Sequence, residues 1–97
     1  MTDSASDAPD SATETLLEFP TSFPIKAMGR ADSEIVDVVV EILRRHAPDF
    51  PAEALETRLS SGGKWVSVTV RIEARSKAQL DAIYQELTAH ELVVYAL

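Results

Sequence analysis

The chain has 97 residues, of which 45% are apolar and 26% charged, and its formal net charge is −7. This length allows one small domain, and the composition is that of an ordinary soluble globular fold. The absence of cysteine excludes disulfides, thiolate zinc sites and cysteine nucleophiles. No apolar run approaches the roughly 18 residues of a membrane-spanning helix, and no secretion signal is visible, so we expect a cytoplasmic location.

The negative charge is concentrated at the N-terminus. Residues 1–18 contain five acidic residues and no Lys or Arg, whereas residues 19–97 contain eleven acids and nine bases. The first fifteen residues lack aromatics, so they cannot bury enough apolar surface to offset an ordering entropy of about 1–2 kcal/mol per residue. We therefore expect residues 1–15 to be a disordered acidic tail, either a solubilising leader or a partner-binding arm, and residues 16–97 to form a single domain.

A strand and an amphipathic helix are predicted after the tail. Apolar and polar residues alternate from Phe23 to Gly29, which is the period of a strand. The helix begins near Asp32 or Ser33, both competent N-caps, and ends before Pro48. One side of its helical wheel is apolar and the other is charged. The predicted apolar side comprises Ile35, Val38, Val39, Ile42, Leu43 and His46.

A β-hairpin is predicted next. Apolar and polar residues alternate over 55–60 and again over 65–74. A two-residue primed turn at Gly62–Gly63 would place Leu59 opposite Val66 and would bring the apolar residues of both strands to one face. The agreement between turn and register favours this hairpin. A phosphate-binding loop is the alternative, but the segment around Gly62–Gly63 does not have the glycine and lysine spacing of such a loop.

A capping-box pattern marks the second predicted helix. Ser76 is followed three residues later by Gln79, and apolar residues then recur at helical spacing over 80–87. The complete order is strand, helix, strand, strand, helix, strand. With right-handed crossovers it predicts an α+β, ferredoxin-like βαββαβ sandwich, in which a four-stranded antiparallel sheet carries two helices on one face and has its first and third strands in the centre.

The last predicted strand, residues 91–97, is apolar on both faces. One apolar set must then be exposed unless residues 16–19 fold back over it or a second subunit covers it. An exposed apolar edge favours a protein partner, or a weak homodimer, bound through this strand or through the open sheet face. The two sets are Leu92 with Val94, and Val93 with Tyr95 and Leu97.

With this pattern complete, the chain resembles the YbeD-like family of small bacterial proteins of undefined function. The resemblance spans about residues 16–97 and implies a ferredoxin-like fold, similar in shape to the small-molecule-binding ACT regulatory domains. Some members of the family are labelled as lipoate-related regulators, so the resemblance implies a regulatory or binding role. The segments that carry it are Leu17–Pro20, Lys26–Gly29, Arg45–Pro48, Ser61–Thr69 and Tyr84–Leu87.

The turn after the first strand is a candidate contact site. It leads into a helix N-terminus, where free amide groups favour anions, and Arg30 adds positive charge. We therefore consider Gly29, Arg30, Asp32 and Ser33 as residues that contact a ligand or partner. The alternative is an ordinary turn in which the glycine meets a backbone requirement.

Three further residues are candidates for ligand or partner contact. His46, in the last turn of the first helix, is either a ligand-binding or pH-sensing imidazole or a packed residue stabilised by the helix dipole. Trp65 projects onto the open face and could cap a partner, and Tyr95 belongs to the exposed apolar strand. His46 and His90 lie on distant elements without zinc spacing, so we expect no metal site.

The sequence contains no pattern typical of an active site. No hydroxyl nucleophile stands with a base at recognisable spacing and no paired carboxylates stand out, so we expect no enzyme and no cofactor. A lone aromatic on the third strand and a negative chain argue against nucleic acid, and we expect no membrane association. The leading hypothesis is a non-catalytic cytoplasmic regulatory or protein-interaction module. The alternative is an ACT-like sensor of an anionic metabolite.

Overall fold

The computed structural model of the protein describes residues 18–97. The predicted tail, residues 1–15, therefore lies outside the described residues, and so do Leu16 and Leu17. The elements in chain order are β1 (Thr21–Arg30), α1 (Ile35–His46), a 3-10 turn (Ala52–Ala54), β2 (Leu55–Leu59), β3 (Trp65–Ala74), α2 (Lys77–Ala89) and β4 (Tyr95–Ala96).

The four strands form one antiparallel sheet in the order β2-β3-β1-β4. β1 and β3 pair along their full length, from Thr21 opposite Ala74 to Arg30 opposite Trp65. Both helices lie on one face of this sheet and contact each other. The predicted α+β, ferredoxin-like fold with its first and third strands in the centre is therefore confirmed.

The hydrophobic core lies between the sheet and the helices. Every second residue of β3 is buried, and the matching residues of β1 pair with them across the sheet. In the part of the chain that the structure describes, no polar or charged residue is fully buried. The largest fully buried side chains are Ile25, Ile35, Leu43, Ile72, Ile83, Leu87, Val39, Val68 and Val70.

The predicted register of the β2–β3 hairpin is confirmed, but its turn is different. Leu59 lies opposite Val66, as expected. Of the two glycines in the turn, only Gly63 has a positive φ, of 73°, and its N–H donates to the carbonyl of Ser60 at 2.9 Å. A primed two-residue turn needs a positive φ at Gly62, so that prediction is wrong. The chain instead turns over 60–63 and uses the left-handed glycine to re-enter β3.

Helix α1 starts slightly later than predicted, because a turn over residues 31–34 precedes it. The cap position is Glu34, whose side chain makes no capping bond. The Ser33 hydroxyl donates to the carbonyl of Arg30 at 2.7 Å and accepts from the N–H of Ile35 at 3.3 Å. Ser33 therefore stabilises both the turn and the first turn of the helix without being the cap residue itself.

The predicted cap of α2 is confirmed and also ties the two helices together. The Ser76 hydroxyl accepts from the N–H of Gln79 at 3.0 Å. The Gln79 side chain accepts from the N–H of Arg75 at 2.6 Å and donates to the carbonyl of His46 at 2.8 Å. One glutamine thus satisfies backbone groups at the start of α2 and at the end of α1.

The last strand is much shorter than the predicted 91–97, since β4 covers only Tyr95–Ala96. The N–H of Val94 donates to the carbonyl of Met28, which is also the residue opposite Tyr95. Two consecutive residues therefore face one residue of β1, as in a β-bulge, and the alternation is broken. Neither predicted apolar set is exposed as a unit. Val93 is buried, whereas Val94, Tyr95 and Leu97 are 56%, 43% and 65% exposed.

Gly29 provides a direct test of this packing. A Cβ at Gly29 would lie 2.7 Å from the carbonyl oxygen of Leu92 and 2.8 Å from Cγ1 of Ile35. We expect Gly29→Ala to lower the free energy of unfolding by about 1–3 kcal/mol, because backbone must move to relieve the overlap. The measurement is urea denaturation. The matched control is Gly62→Ala, which meets nothing within 4 Å and should change stability by less than about 0.5 kcal/mol.

Candidate functional site

The sheet face opposite the helices carries an apolar and aromatic surface, which we call the Trp65 patch. It consists of Met28 and Arg30 on β1, Trp65 on β3, and Tyr95 and Leu97 at the C-terminal edge. Arg30 lies opposite Trp65, and Met28 lies opposite Tyr95. Because strand side chains alternate between faces, the burial of the intervening β1 residues beneath the helices places these side chains together on the open face.

The patch combines exposed and half-buried groups. Tyr95 and Leu97 are largely exposed, while Met28 and Trp65 are half-buried. The guanidinium carbon of Arg30 lies 5.8 Å from the centroid of the Trp65 ring, within the range of a cation–π contact. Aromatic, Met and Arg side chains are the types enriched in protein–protein contact surfaces.

The open face is positively charged although the chain as a whole is negative. Strand alternation places four basic and two acidic side chains on this face, against a formal charge of −7 for the whole chain. A positive apolar surface on an acidic protein favours a ligand or partner that carries negative charge beside apolar groups. The basic residues are Lys26, Arg30, Arg58 and Arg71, and the acidic residues are Glu56 and Glu73.

Within the turn after β1, Arg30 is already paired. Its Nε and Nη2 atoms donate to the two carboxylate oxygens of Asp32 at 3.1 and 3.2 Å. These bonds lower the pKa of Asp32 and raise that of Arg30. Asp32 therefore holds the guanidinium in place and neutralises it. An anion at this turn would have to compete with that carboxylate and with the acidic Glu34 and Asp37 that follow.

The other two turn residues serve the fold. Gly29 is buried, and the space beside its Cα is filled by Leu92 and Ile35. Ser33 is bonded to backbone on both sides of the turn. Of the four candidates in this turn, only Arg30 belongs to the Trp65 patch, and Asp32 holds it there.

His46 lies away from the patch, at the junction between the two helices. Its Nε2 atom is 2.5 Å from Oε2 of Glu86 on α2, and the guanidinium of Arg45 also bonds to Glu86. The hydrogen bonds from Arg45 and His46 lower the pKa of Glu86. The structure thus places His46 in an interhelical cluster with Glu86 and does not bring it near Arg30, Trp65 or Tyr95.

Sequence reasoning missed Met28 as a member of the patch and named Leu97 only within the apolar set of the last strand. The strand alternation that placed Met28 on the open side was visible in the sequence, and it was the available signal. The position of Tyr95 and Leu97 beside β1 depends on long-range pairing, since Leu97 and Lys26 exchange backbone hydrogen bonds at 2.7 and 3.2 Å. That pairing has no local signature.

Between residues 18 and 97, no group of three or more His, Cys, Asp or Glu side chains is arranged to hold a metal ion. In the same range, each helix is too short or too polar to cross a bilayer.

Comparison with known proteins gives consistent matches over nearly the whole chain. A family model described as "Protein of unknown function (DUF493)" matches residues 14–97. The chain is 41% identical over 98 aligned residues to UPF0250 protein RSc0326 of Ralstonia nicotianae, with 100% of both chains covered. It is 45% identical over 83 residues to a UPF0250 protein of Neisseria gonorrhoeae, which covers 86% of this chain and 91% of the relative.

A solved structure supports the fold. The solution structure of protein HP0495 from H. pylori matches with a TM-score of 0.69, covering 100% of this chain and 96% of that chain. The sequence identity is 17%, so this likeness concerns the fold alone.

The interhelical cluster predicts a pH-dependent contribution to stability. Because the folded-state pKa of Glu86 lies below its ordinary value of 4.5, its contribution is fully present above that value and is lost as the pH falls through the folded pKa. We expect Glu86→Gln to be less stable than the wild type at pH 7, with the difference shrinking towards zero in acid. Urea denaturation between neutral and acidic pH measures this.

The matched control for that series is Glu41→Gln. The Glu41 carboxylate is 3.9 Å from Arg45 and largely exposed, so its removal should change stability little at any pH. Equal effects of the two substitutions, or a Glu86→Gln difference that does not vary with pH, would contradict the role assigned to Glu86.

Proposed function

Because the chain belongs to the DUF493, or UPF0250, family of YbeD-like bacterial proteins of unknown function, we propose a function from its own surface: it is a non-catalytic regulatory module that binds a protein partner through the Trp65 patch. The observation that carries this proposal is the position of Trp65 opposite Arg30 and of Tyr95 opposite Met28, on the one face of the sheet that the helices leave open.

The chemistry of the patch favours a particular partner. Trp65, Tyr95 and Leu97 offer apolar surface. Burying this surface against a partner stabilises the complex by about 25 cal/mol for each Å² removed from water. Asp32 offsets the charge of Arg30, but Lys26, which lies opposite Leu97, favours an acidic group on the partner. The proposed partner is therefore a segment of another protein that carries apolar side chains interspersed with Asp or Glu.

The Arg30–Asp32 pair fits this use better than it fits a free anion site. Two hydrogen bonds to Asp32 hold the guanidinium of Arg30 beside the Trp65 ring. A partner therefore contacts an ordered arginine whose charge is largely offset by Asp32. Pre-ordering of a contact side chain lowers the entropy lost on binding. Removing Asp32 would free the guanidinium and increase the positive charge of the patch.

The alternative proposal is an ACT-like sensor of an anionic small molecule, with a lipoate-related compound as one candidate ligand. It requires the ligand to displace Asp32 from Arg30 at the start of α1. Under this alternative, an anionic ligand shifts the amide resonances of residues 28–34, and Arg30→Ala weakens the effect. Flat titrations with a panel of carboxylates and phosphates would remove it.

The protein-partner proposal can be tested by site-specific photocrosslinking in the host bacterium. A photoreactive phenylalanine analogue replaces Tyr95 in the full chain, and a matched variant carries it at Gln85, which is exposed on α2. We expect one discrete protein adduct from position 95 and none from position 85. The crosslinked peptide should contain apolar and acidic residues, and Trp65→Ser should abolish the adduct, since it removes the Trp65 ring from the proposed contact surface.

Several outcomes would contradict the proposal. Equal adducts from both positions, no adduct from position 95, or an adduct insensitive to Trp65→Ser would each reject the patch as the contact surface. An adduct with nucleic acid from position 95 would replace the proposed partner with a different class of macromolecule.

A further inference from the structure

The outer edge of β2 is an unpartnered strand edge. β2 pairs with β3 on one side only, and within residues 18–97 no element pairs with its other side. Four of its five side chains are exposed, and Leu59 is 61% exposed. A free strand edge presents rows of backbone donors and acceptors that another strand can use.

The hydrogen bonds of the hairpin decide which backbone groups of β2 face outward. The N–H of Ser60 donates to the carbonyl of Trp65 at 2.9 Å, so even-numbered residues of β2 bond to β3. The N–H and C=O groups of Leu55, Thr57 and Leu59 therefore point away from β3. This phase restricts which antiparallel registers a second strand could adopt.

The sequence of β2, Leu-Glu-Thr-Arg-Leu, is self-complementary when it is read against its own reverse. With a twofold axis at Thr57, Glu56 lies opposite the partner's Arg58, and Leu55 lies opposite the partner's Leu59. Thr57 is also one of the outward-bonding residues, so the hydrogen-bond phase is compatible with the axis that the side-chain order selects. From these two agreements we propose that a second copy of this chain pairs with β2, joining two sheets into one of eight strands.

This pairing would form four backbone hydrogen bonds. The two Thr57 residues exchange a pair, and each Leu59 N–H reaches the carbonyl of the partner's Leu55. The N–H of Leu55 takes no part, because it already donates to the carbonyl of Ala52 in the 3-10 turn. Each copy therefore contributes two donors, the N–H groups of Thr57 and Leu59, and the symmetric pairing uses both.

The charges of β2 become paired only in the dimer. Within the described part of the chain, neither Glu56 nor Arg58 forms an ion pair, and both side chains are exposed on the open face. In the proposed register they face each other twice across non-hydrogen-bonded positions, where Cα atoms are about 4.5 Å apart. A shift of two residues would place Glu56 opposite the partner's Glu56, or Arg58 opposite the partner's Arg58, so like charges would face each other and both charge pairs would be lost.

The apolar side of the proposed interface includes one flank of α1. Arg45 marks the flank that faces α2, because it bonds to Glu86, and α2 contacts β4 at the far edge of the sheet. At 100° per residue, Val36 and Val40 lie on the opposite flank, towards β2, and both are half-buried. An interface of one short strand and one helix flank is below about 1,200 Å², so the dimer is weak and concentration-dependent.

The proposal is independent of the function proposed for the Trp65 patch, because no residue of that patch lies on β2. It is tested by sedimentation velocity of the full-length chain up to about 1 mM. We expect the wild type to dimerise. Glu56→Arg and Arg58→Glu should each weaken the dimer about tenfold, because each turns two attractive pairs into two repulsive ones. An equimolar mixture of these two variants should restore association as a heterodimer.

Two further variants separate this interface from other surfaces. Thr57→Pro removes an N–H that only the dimer uses, so it should abolish association while the chain remains folded by circular dichroism. Lys26→Glu changes the net charge as much as Arg58→Glu but lies on β1, and it should leave association unchanged. A wild type that stays monomeric, an interface insensitive to the β2 variants, or a mixture without heterodimer would each overturn the proposal.

Discussion

The pairing of β1 with β3, covered by helices on one side only, is the constraint on which the rest of the structure depends. The two strands meet residue for residue over ten positions. Pairs such as Ile25 with Val70 point to the helices and are fully buried. Because neighbouring side chains point the opposite way, the pairing that builds the core also builds the open face. The Trp65 patch is therefore a direct consequence of the strand register.

The elements with strong local signals could be predicted from the sequence, and the elements set by long-range contacts could not. β3 has the predicted bounds, and Leu59 lies opposite Val66, because alternation in both strands and a short connection specify the same register. The turn itself was mispredicted, since two adjacent glycines do not reveal which of them adopts the positive φ. Only Gly63 does so, after a turn closed by Ser60.

The C-terminal segment shows why apolar composition alone was insufficient. Residues 91–97 have strand-like composition, yet the turn after α2 extends to Val93, whose N–H donates to the carbonyl of His90. The His90 ring also accepts from the N–H of Leu92 at 3.1 Å, so this histidine shapes the turn. Only two residues remain for β4, and Tyr95 reaches the open face through its pairing with Met28.

The candidate residues separate according to topology. Arg30, Trp65 and Tyr95 come from three parts of the sequence and meet because β1 lies between β3 and β4. His46 is carried to the other end of the sheet by α1, whose 12 residues span about 18 Å. In β1, β2 and β3 the sequence patterns assigned side chains to faces correctly, but the neighbours of a strand are known only when the order of the whole sheet is known.

The two edges of the sheet differ in how they exclude other strands. On the β1 side, β4 and Leu97 reach only as far as Lys26, and the next outward-facing position is Pro24, which has no N–H to donate. On the β2 side, the outward-facing N–H groups of Thr57 and Leu59 are available to another strand. The exposed charges of Glu56 and Arg58 limit pairing with most strands. In a second copy, read in reverse, those same charges are complementary. The same two charges can therefore oppose pairing with unrelated strands and permit pairing with one symmetric partner.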